Sequence, residues 1–107
     1  MLGSVLVDRP TTFVRFTQGD LSNPGAFHWN EQHPSLIPQT LHYSGKVVIL
    51  VDEVTQSSAE YTAMALRTVP GAKVVGSTTA GADGNVSEFA LPGGLRSNGQ
   101  RYRGFLR

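Results

Sequence analysis

The sequence predicts an α/β domain, and three neighbouring segments carry that prediction. Residues 46–51 form an apolar run that favours a strand, residues 57–68 favour a helix of small side chains, and residues 73–78 favour a second strand. Strand, helix and strand with short connections form a βαβ unit, whose crossover is right-handed and whose strands are parallel. A chain of 107 residues with 39% hydrophobic content can bury one modest core, so we expect a single domain or part of one.

Residues 1–44 predict short strands followed by a long irregular loop. Residues 4–8 and 13–18 are rich in β-branched and aromatic side chains, which favours two short strands. Residues 19–44 contain three prolines and two glycines without a sustained period, so they predict an irregular excursion. Within it, Phe27 and Trp29 are predicted to anchor the loop, with the lining of a substrate groove as the alternative.

Residues 45–94 predict the βαβ core. The run KVVILV is apolar on both faces, as expected for a central strand of a parallel sheet that is covered on both sides. In the helix, Ala59, Ala63 and Leu66 form a stripe narrow enough to lie close to a sheet. The sequence VPG then ends the helix, and residues 86–92 alternate like a further strand before a glycine pair turns the chain.

Residues 95–107 form a basic tail. Four of the nine basic residues lie here, interleaved with aromatic side chains: Arg96, Arg101, Tyr102, Arg103, Phe105 and Arg107. Such a pattern can contact RNA, but the remaining sequence shows no basic face, which favours a frayed or fold-closing tail. The net charge of +1 likewise gives no field that would recruit nucleic acid or an anionic membrane.

Compartment and targeting are not encoded in these residues. The absence of cysteine excludes disulfides and cysteine-ligated metal, and no segment is long enough to cross a bilayer. The N-terminal sequence has neither a basic region nor a long apolar run, so it does not predict a signal peptide. If the protein works outside the cytoplasm, its targeting sequence lies elsewhere, and the chain would be part of a longer polypeptide.

The βαβ topology predicts a site at the N-terminus of the helix. There Ser57 and the loop 79–85 should meet at the carboxyl edge of the strands, where ligands collect in open α/β sheets. Free backbone N–H groups and the helix dipole would favour an oxyanion beside a serine nucleophile. The structural alternative is a capping box over SSAE, in which Ser57 caps the helix and Glu60 reaches back. No G-x-S-x-G elbow is present.

Residues 45–94, from GKVVILVDEVTQSSAEYTAMAL to AKVVGSTTAGADGNVSEFALPGG, resemble the core of the carboxyl-terminal processing, or tail-specific, serine peptidases. The resemblance implies a crotonase-like, Clp-protease-like ββα-spiral fold, with Ser57 as nucleophile and the Ser58 N–H in the oxyanion hole. It also implies supporting roles for Glu60, Thr79 and Gly81. Relatives of the best-known branch carry a lysine as general base in the T-x-G-K loop, where this chain has Ala82.

No other residue is an evident replacement for that lysine. Lys46 and Lys73 belong to the remote edge of the sheet, about 18 Å from Ser57 along a twelve-residue helix, and a general base must come within about 3 Å. Asp83 lies in the right loop and is either a supporting residue or part of an ordinary Asp-Gly turn. The resemblance includes a branch with tricorn-like peptidases, which lacks the lysine and takes a histidine from a different segment or domain. The histidines His28, His33 and His42 lie in or beside the irregular excursion, where we expect surface or packing roles, and they form no convincing metal set.

Two interpretations therefore remain open. The first is part of a serine peptidase that acts on a peptide or protein substrate, with its base and its upstream glycine-rich oxyanion motif outside this chain. The resemblance then implies a periplasmic or other extracytoplasmic location, no cofactor and no metal. The second is a non-catalytic relative that binds peptides or small apolar ligands, in which Ser57 only caps its helix. Under either interpretation, the missing lysine makes the chain resemble the branch of tricorn-like and interphotoreceptor-retinoid-binding-like relatives. An exposed sheet edge would favour a homo-oligomer in either case.

Overall fold

The computed structural model describes residues 2–84, 86–100 and 102–106 and shows a mixed α/β domain. Three predicted positions, Asn85 of the return loop and Arg101 and Arg107 of the tail, lie outside the described residues. The elements in chain order are a 3-10 helix Leu2–Val5, β1 Thr11–Thr12, β2 Val14–Gly19, β3 Phe27–Trp29, β4 Ser35–Leu36, β5 Val48–Val51, α1 Ser58–Leu66, β6 Lys73–Gly76, β7 Val86–Ala90, β8 Arg96–Gln100 and β9 Tyr102–Leu106.

The predicted βαβ unit is confirmed. Strands β5 and β6 are parallel, with Val48 opposite Lys73 and Val51 opposite Gly76, and α1 connects them. The other described strands pair antiparallel, as β3-β2-β9, β1-β4 and β7-β8. Because a parallel pair needs a crossover, the N-terminus of α1 and the loop after β6 come to the same edge.

Gly76 fixes the point at which β6 leaves the sheet. Its φ of 135° is one that side chains rarely adopt, and a Cβ there would overlap the carbonyl oxygen of Val51. The next N–H, from Ser77, donates to that same oxygen over 3.2 Å. Glycine therefore lets the two strands stay in contact to their last residue and delivers the return loop to the site.

The core lies between α1 and β2. Its most buried members are Val7, Phe13, Val14, Leu36 and Ala65, each exposing at most 2% of its surface. Tyr61 of α1 packs edge-on against Phe13 and stacks on Phe16, with ring centroids 5.0 and 6.1 Å apart. These aromatic pairs attach the first turn of the helix to the antiparallel sheet.

The predicted helical stripe is corrected by this packing. Ala59 is exposed, whereas Ala65 is buried, and Tyr61 and Met64 pack against the core. Residues 61, 64 and 65 have the i, i+3, i+4 spacing of a single face. Leu66 of the predicted stripe also packs against the core, so the prediction is right at Leu66 and wrong at Ala59. The buried face of the helix is oriented by Phe13 and Phe16, which Tyr61 contacts.

The prediction of a strand at residues 4–8 is wrong. The segment begins with the 3-10 helix, and the carbonyls of Ser4 and Val5 accept hydrogen bonds from the N–H groups of Gln39 and Tyr43 at 3.2 and 2.7 Å. These contacts with a distant loop take the place of a strand ladder. The strand predicted at residues 13–18 is confirmed as β2.

Two further expectations change in detail. The excursion 19–44 contains the short strands β3 and β4, and the tail 95–107 contains β8 and β9, of which β9 pairs along β2. The tail therefore closes the antiparallel sheet rather than fraying. Strand β5 is not covered on both sides within the described residues, since Val48 and Leu50 expose 58% and 78% of their surfaces.

Candidate functional site

Ser57 lies between β5 and α1 in a strained backbone conformation. Its φ of 53° and ψ of −116° fall outside the regions that side chains adopt readily, and among the described residues it is the one non-glycine with a positive φ. Its side chain is exposed. Strain of this kind costs about 1–3 kcal/mol and persists where surrounding contacts enforce it, typically at functional sites.

A turn of side-chain hydrogen bonds leads into this conformation. The Asp52 carboxylate accepts from the Thr55 hydroxyl over 2.8 Å and from the Val54 N–H over 3.2 Å. The Thr55 carbonyl in turn accepts the Ala80 N–H over 3.0 Å, which ties the turn to the return loop. The position of Ser57 is therefore held from both of its neighbouring segments.

Glu60 joins the helix start to the return loop. Its carboxylate accepts from the N–H groups of Ser57, Gly81 and Ala82 at 2.9, 2.8 and 3.0 Å. Ser57 and Ala82 donate to the same oxygen, Oε2, so both lie within one hydrogen bond of it. The predicted proximity of residue 57 to the loop is confirmed, and Glu60 is the group that creates it.

The capping-box prediction is confirmed, since the Ser57 side chain pairs with the backbone of Glu60 and the Glu60 side chain pairs with the backbone of Ser57. Ser57 and Glu60 stand in the arrangement of a capping box, and its firm half is the Ser57 N–H donating to the glutamate. The Ser57 hydroxyl makes no cap hydrogen bond of regular geometry. Ser57 therefore takes the position of a helix cap while remaining exposed at the surface.

Glu60 is charged although it is buried. It exposes 6% of its surface. Burial by itself would raise the pKa of this carboxyl, but hydrogen bonds from the Thr79 side chain and from the three backbone N–H groups together hold the pKa below its ordinary value. Charge-assisted hydrogen bonds are stronger than neutral ones, so a carboxylate that accepts from several donors holds the loop firmly to the helix start.

Asp83 follows the two loop residues that bind Glu60, and its pKa is shifted in the opposite direction. Burial, and then the negative charge of Glu60, raise the pKa of Asp83 above its ordinary value. Its Oδ2 is buried and accepts no hydrogen bond from the described residues. The same aspartate contributes, after burial, to a raised pKa of the Tyr61 phenol. Glu60 of α1 thus has a saturated carboxylate, whereas Asp83 of the return loop has an unsatisfied carboxyl oxygen.

Ser58 is the first residue of α1, and its backbone N–H follows Ser57 directly. The first N–H groups of an α-helix have no partner within the helix, and they carry the positive end of the helix dipole. Glu60 engages the N–H of Ser57 rather than that of Ser58. The arrangement can therefore direct a backbone donor at an anion formed next to the Ser57 hydroxyl.

The other predicted candidates lie apart from this site. Lys73 begins β6 opposite Val48, at the edge of the sheet remote from Ser57, and the residues of the described ranges include no group of His, Asp or Glu that could hold a metal. His28 belongs to β3, while His33 and His42 lie in the segments before β4 and β5. None of the described helices is long and apolar enough to span a membrane.

The β2–β3 hairpin holds the aromatic residues that the sequence singled out. Trp29 and Phe27 expose 49% and 61% of their surfaces, so neither is a buried loop anchor. The Arg15 guanidinium lies 4.4 Å from the centre of the Trp29 ring. This pair stabilises the outer face of the sheet through a cation–π contact.

Sequence reasoning overlooked Tyr61. It follows Glu60, connects α1 to Phe13 and Phe16, and is close enough to Asp83 for that charge to act on its phenol. A signal was present, since a large aromatic residue within a run of alanine and threonine marks the packed side of a helix.

The comparisons with known proteins identify the family of this α/β domain. The model of peptidase family S41 matches residues 4–103, so the chain belongs to that family. The crystal structure of a proposed peptidase from Parabacteroides merdae superposes with a TM-score of 0.79 at 19% sequence identity, over 94% of this chain and 32% of the other. The chain thus spans about a third of that protein. None of the curated proteins matches it significantly.

Proposed function

We propose that this chain is the nucleophile-bearing part of a serine peptidase of the carboxyl-terminal processing type, built on a crotonase-like ββα spiral. The observation that carries the proposal is the strained, exposed Ser57 whose N–H is held by Glu60. Family membership supports the peptidase class. A longer polypeptide, located in the periplasm or another extracytoplasmic compartment, would contain the rest of the catalytic domain.

In the proposed reaction, Ser57 Oγ attacks the carbonyl carbon of a peptide bond and gives its proton to a base. The Ser58 N–H stabilises the oxyanion, since a preorganised backbone donor acts where negative charge develops. The C–N bond then breaks, the amine leaves with that proton, and water hydrolyses the acyl ester on Ser57. Thr79, Gly81 and Asp83 support the return loop that positions the helix start.

The base of this reaction comes from outside the chain in our proposal. Ala82 stands where relatives carry lysine, and its N–H binds Glu60 over 3.0 Å, which places the residue beside Ser57 without a titratable group. A residue from the remaining polypeptide would therefore take the proton. We expect no measurable turnover by residues 1–107 alone, and turnover by them would contradict this part of the proposal.

A fluorophosphonate probe tests the nucleophile directly. We expect the intact protein to be labelled at Ser57, as read by peptide mass spectrometry, and Ser57→Ala to abolish labelling at a stability cost of no more than about 1–2 kcal/mol. Ser58→Ala is the matched control, because its proposed role uses the backbone, and it should keep labelling. A folded protein that the probe does not label would refute the peptidase proposal.

Ala82 also favours a second candidate, a non-catalytic relative that binds peptides or small apolar ligands. Without a base in the loop, the same geometry could hold a carbonyl oxygen at the Ser58 N–H without attack by Ser57. Peptide binding by the intact protein without any labelling of Ser57 would support this candidate over the first.

A further inference from the structure

We propose that Asp83 is a specificity-determining residue, which receives a positively charged group of a peptide bound at Ser57. The ligand class is a peptide with a lysine or arginine side chain, or a free α-ammonium group, near the carbonyl that Ser57 faces. This inference rests on the proposed function of Ser57, and it names the substrate class of that same site.

The first observation is the position of Asp83. Ser57 N–H and Ala82 N–H donate to one oxygen of Glu60, at 2.9 and 3.0 Å, and Asp83 is the next residue along the loop. Its carboxyl group therefore lies in the segment that faces the helix start. A peptide that placed its carbonyl at Ser57 would pass close to this loop.

The second observation is an unmet hydrogen-bonding capacity. Asp83 Oδ2 is buried and accepts no hydrogen bond from the described residues, whereas nearby Glu60 accepts several. Buried polar atoms without partners are uncommon in folded proteins, and each calls for an explanation. The side chain is only half-buried, and rotation about its terminal torsion exchanges the two oxygens at low cost, so a ligand can engage the group.

The third observation is the sign of the local charge. Glu60 and Asp83 are both acidic, and the ion pair found among the described side chains joins Arg96 to Glu88, away from this loop. Ala82, whose N–H donates to Glu60, carries no charge. A cation supplied by the ligand would relieve the repulsion between the carboxyl groups and give Asp83 Oδ2 a donor, which a neutral or acidic side chain cannot do.

Three peptides that differ in one side chain test the proposal. They carry lysine, norleucine or glutamate at a single position, with blocked ends, and their dissociation constants for the intact protein are measured by calorimetry. We expect the lysine peptide to bind about tenfold more tightly than the norleucine peptide, and the glutamate peptide most weakly, since a half-buried ion pair exceeds an exposed one. High salt should reduce the difference.

Variants assign that preference to Asp83. In Asp83→Asn the lysine and norleucine peptides should bind equally, and Asp83→Glu should restore part of the preference by restoring the charge. Asp20→Asn is the matched control: it removes the same charge from an exposed loop between β2 and β3, where that carboxylate already binds Ser22 and Asn23, and it should change nothing. Circular dichroism confirms that each variant is folded.

The outcomes separate this inference from the proposed function. Equal binding of all three peptides by a protein that is labelled at Ser57, or a lysine preference that survives in Asp83→Asn, would overturn the role of Asp83 and leave the peptidase proposal intact. Failure of Ser57 labelling would instead overturn the peptidase proposal, whatever the peptides show.

Discussion

The two ends of α1 are built differently. At the N-terminus, Ser57 has a strained backbone and a buried carboxylate binds three N–H groups from two segments. At the C-terminus, Arg67 has a relaxed φ of −65°, and buried Val69 packs into the core. Charge and hydrogen bonds hold the N-terminal end, whereas apolar packing holds the C-terminal end. The backbone strain is therefore confined to the candidate site.

Glu60→Gln should produce the largest effect at the N-terminal end. A glutamine can accept with one oxygen only, and its NH₂ group would face backbone N–H donors, so we expect the free energy of unfolding to fall by about 2–3 kcal/mol. Labelling of Ser57 should fall with it, because the loop and the helix start separate. Urea denaturation and probe labelling measure the two effects.

Glu53→Gln is the control for that change. Its carboxylate is exposed and accepts from the Ser77 hydroxyl over 2.8 Å, so we expect neither property to change measurably. If both variants lost equal stability and equal labelling of Ser57, the hydrogen bonds of Glu60 would have no particular role in holding the loop to the helix.

Val69→Ala should affect the opposite end alone. Val69 exposes 7% of its surface, and truncation of a buried valine costs about 2 kcal/mol through lost contacts and a residual cavity. Because no charge or strain is involved, labelling of Ser57 should keep its wild-type rate in the folded protein. Val54→Ala, at a side chain that is 78% exposed, provides the control. A slower labelling rate in Val69→Ala would show that the ends are coupled.

Ser57→Gly and Ser57→Ala measure the strain itself. Glycine adopts the φ of 53° without a Cβ clash, so Ser57→Gly should be more stable than Ser57→Ala by about 1 kcal/mol, after the entropy cost of glycine is included. At Arg67, whose φ is helical, Arg67→Ala should instead be more stable than Arg67→Gly by a similar amount. Thermal denaturation of the four variants gives the comparison, and the same order at both positions would argue against strain at Ser57.

The pH dependence should be the smallest effect. The pKa of Glu60 is lowered from its ordinary 4.5, so its contribution to stability is present above pH 4.5 and is lost as pH falls through the folded pKa. The pKa of Asp83 is raised from 3.8, so stability decreases as pH rises from 3.8 through the folded pKa. The two contributions oppose each other in mildly acidic solution.

Asp83→Asn separates these contributions. Relative to the wild type, Asp83→Asn should gain stability as pH rises through the folded pKa of Asp83. In Glu60→Gln, the free energy of unfolding should no longer fall as pH drops through the folded pKa of Glu60. Urea denaturation from pH 3 to 7 measures both profiles. Parallel profiles for wild type and Asp83→Asn would show that the carboxyl group is not strained by its surroundings.

The sequence by itself determined the elements whose signals are local. The apolar run of β5, the end of α1 before the VPG sequence and the position of the return loop all follow from short-range patterns. Together they imply the parallel crossover that brings Ser57 to residues 79–83. The capping pair at Ser57 and Glu60 was also readable, because it spans one helical turn.

Only the tertiary structure decided the contacts between distant segments. The buried face of α1 depends on the contacts of Tyr61 with Phe13 and Phe16. The 3-10 helix at Leu2–Val5 depends on carbonyl contacts with Gln39 and Tyr43, and the tail becomes a strand because β2 offers it an edge. The strain at Ser57 and the unsatisfied oxygen of Asp83 arise in the same way. Each of these features depends on groups that are far apart along the chain. A local pattern of residues does not show that such groups lie close together in the fold.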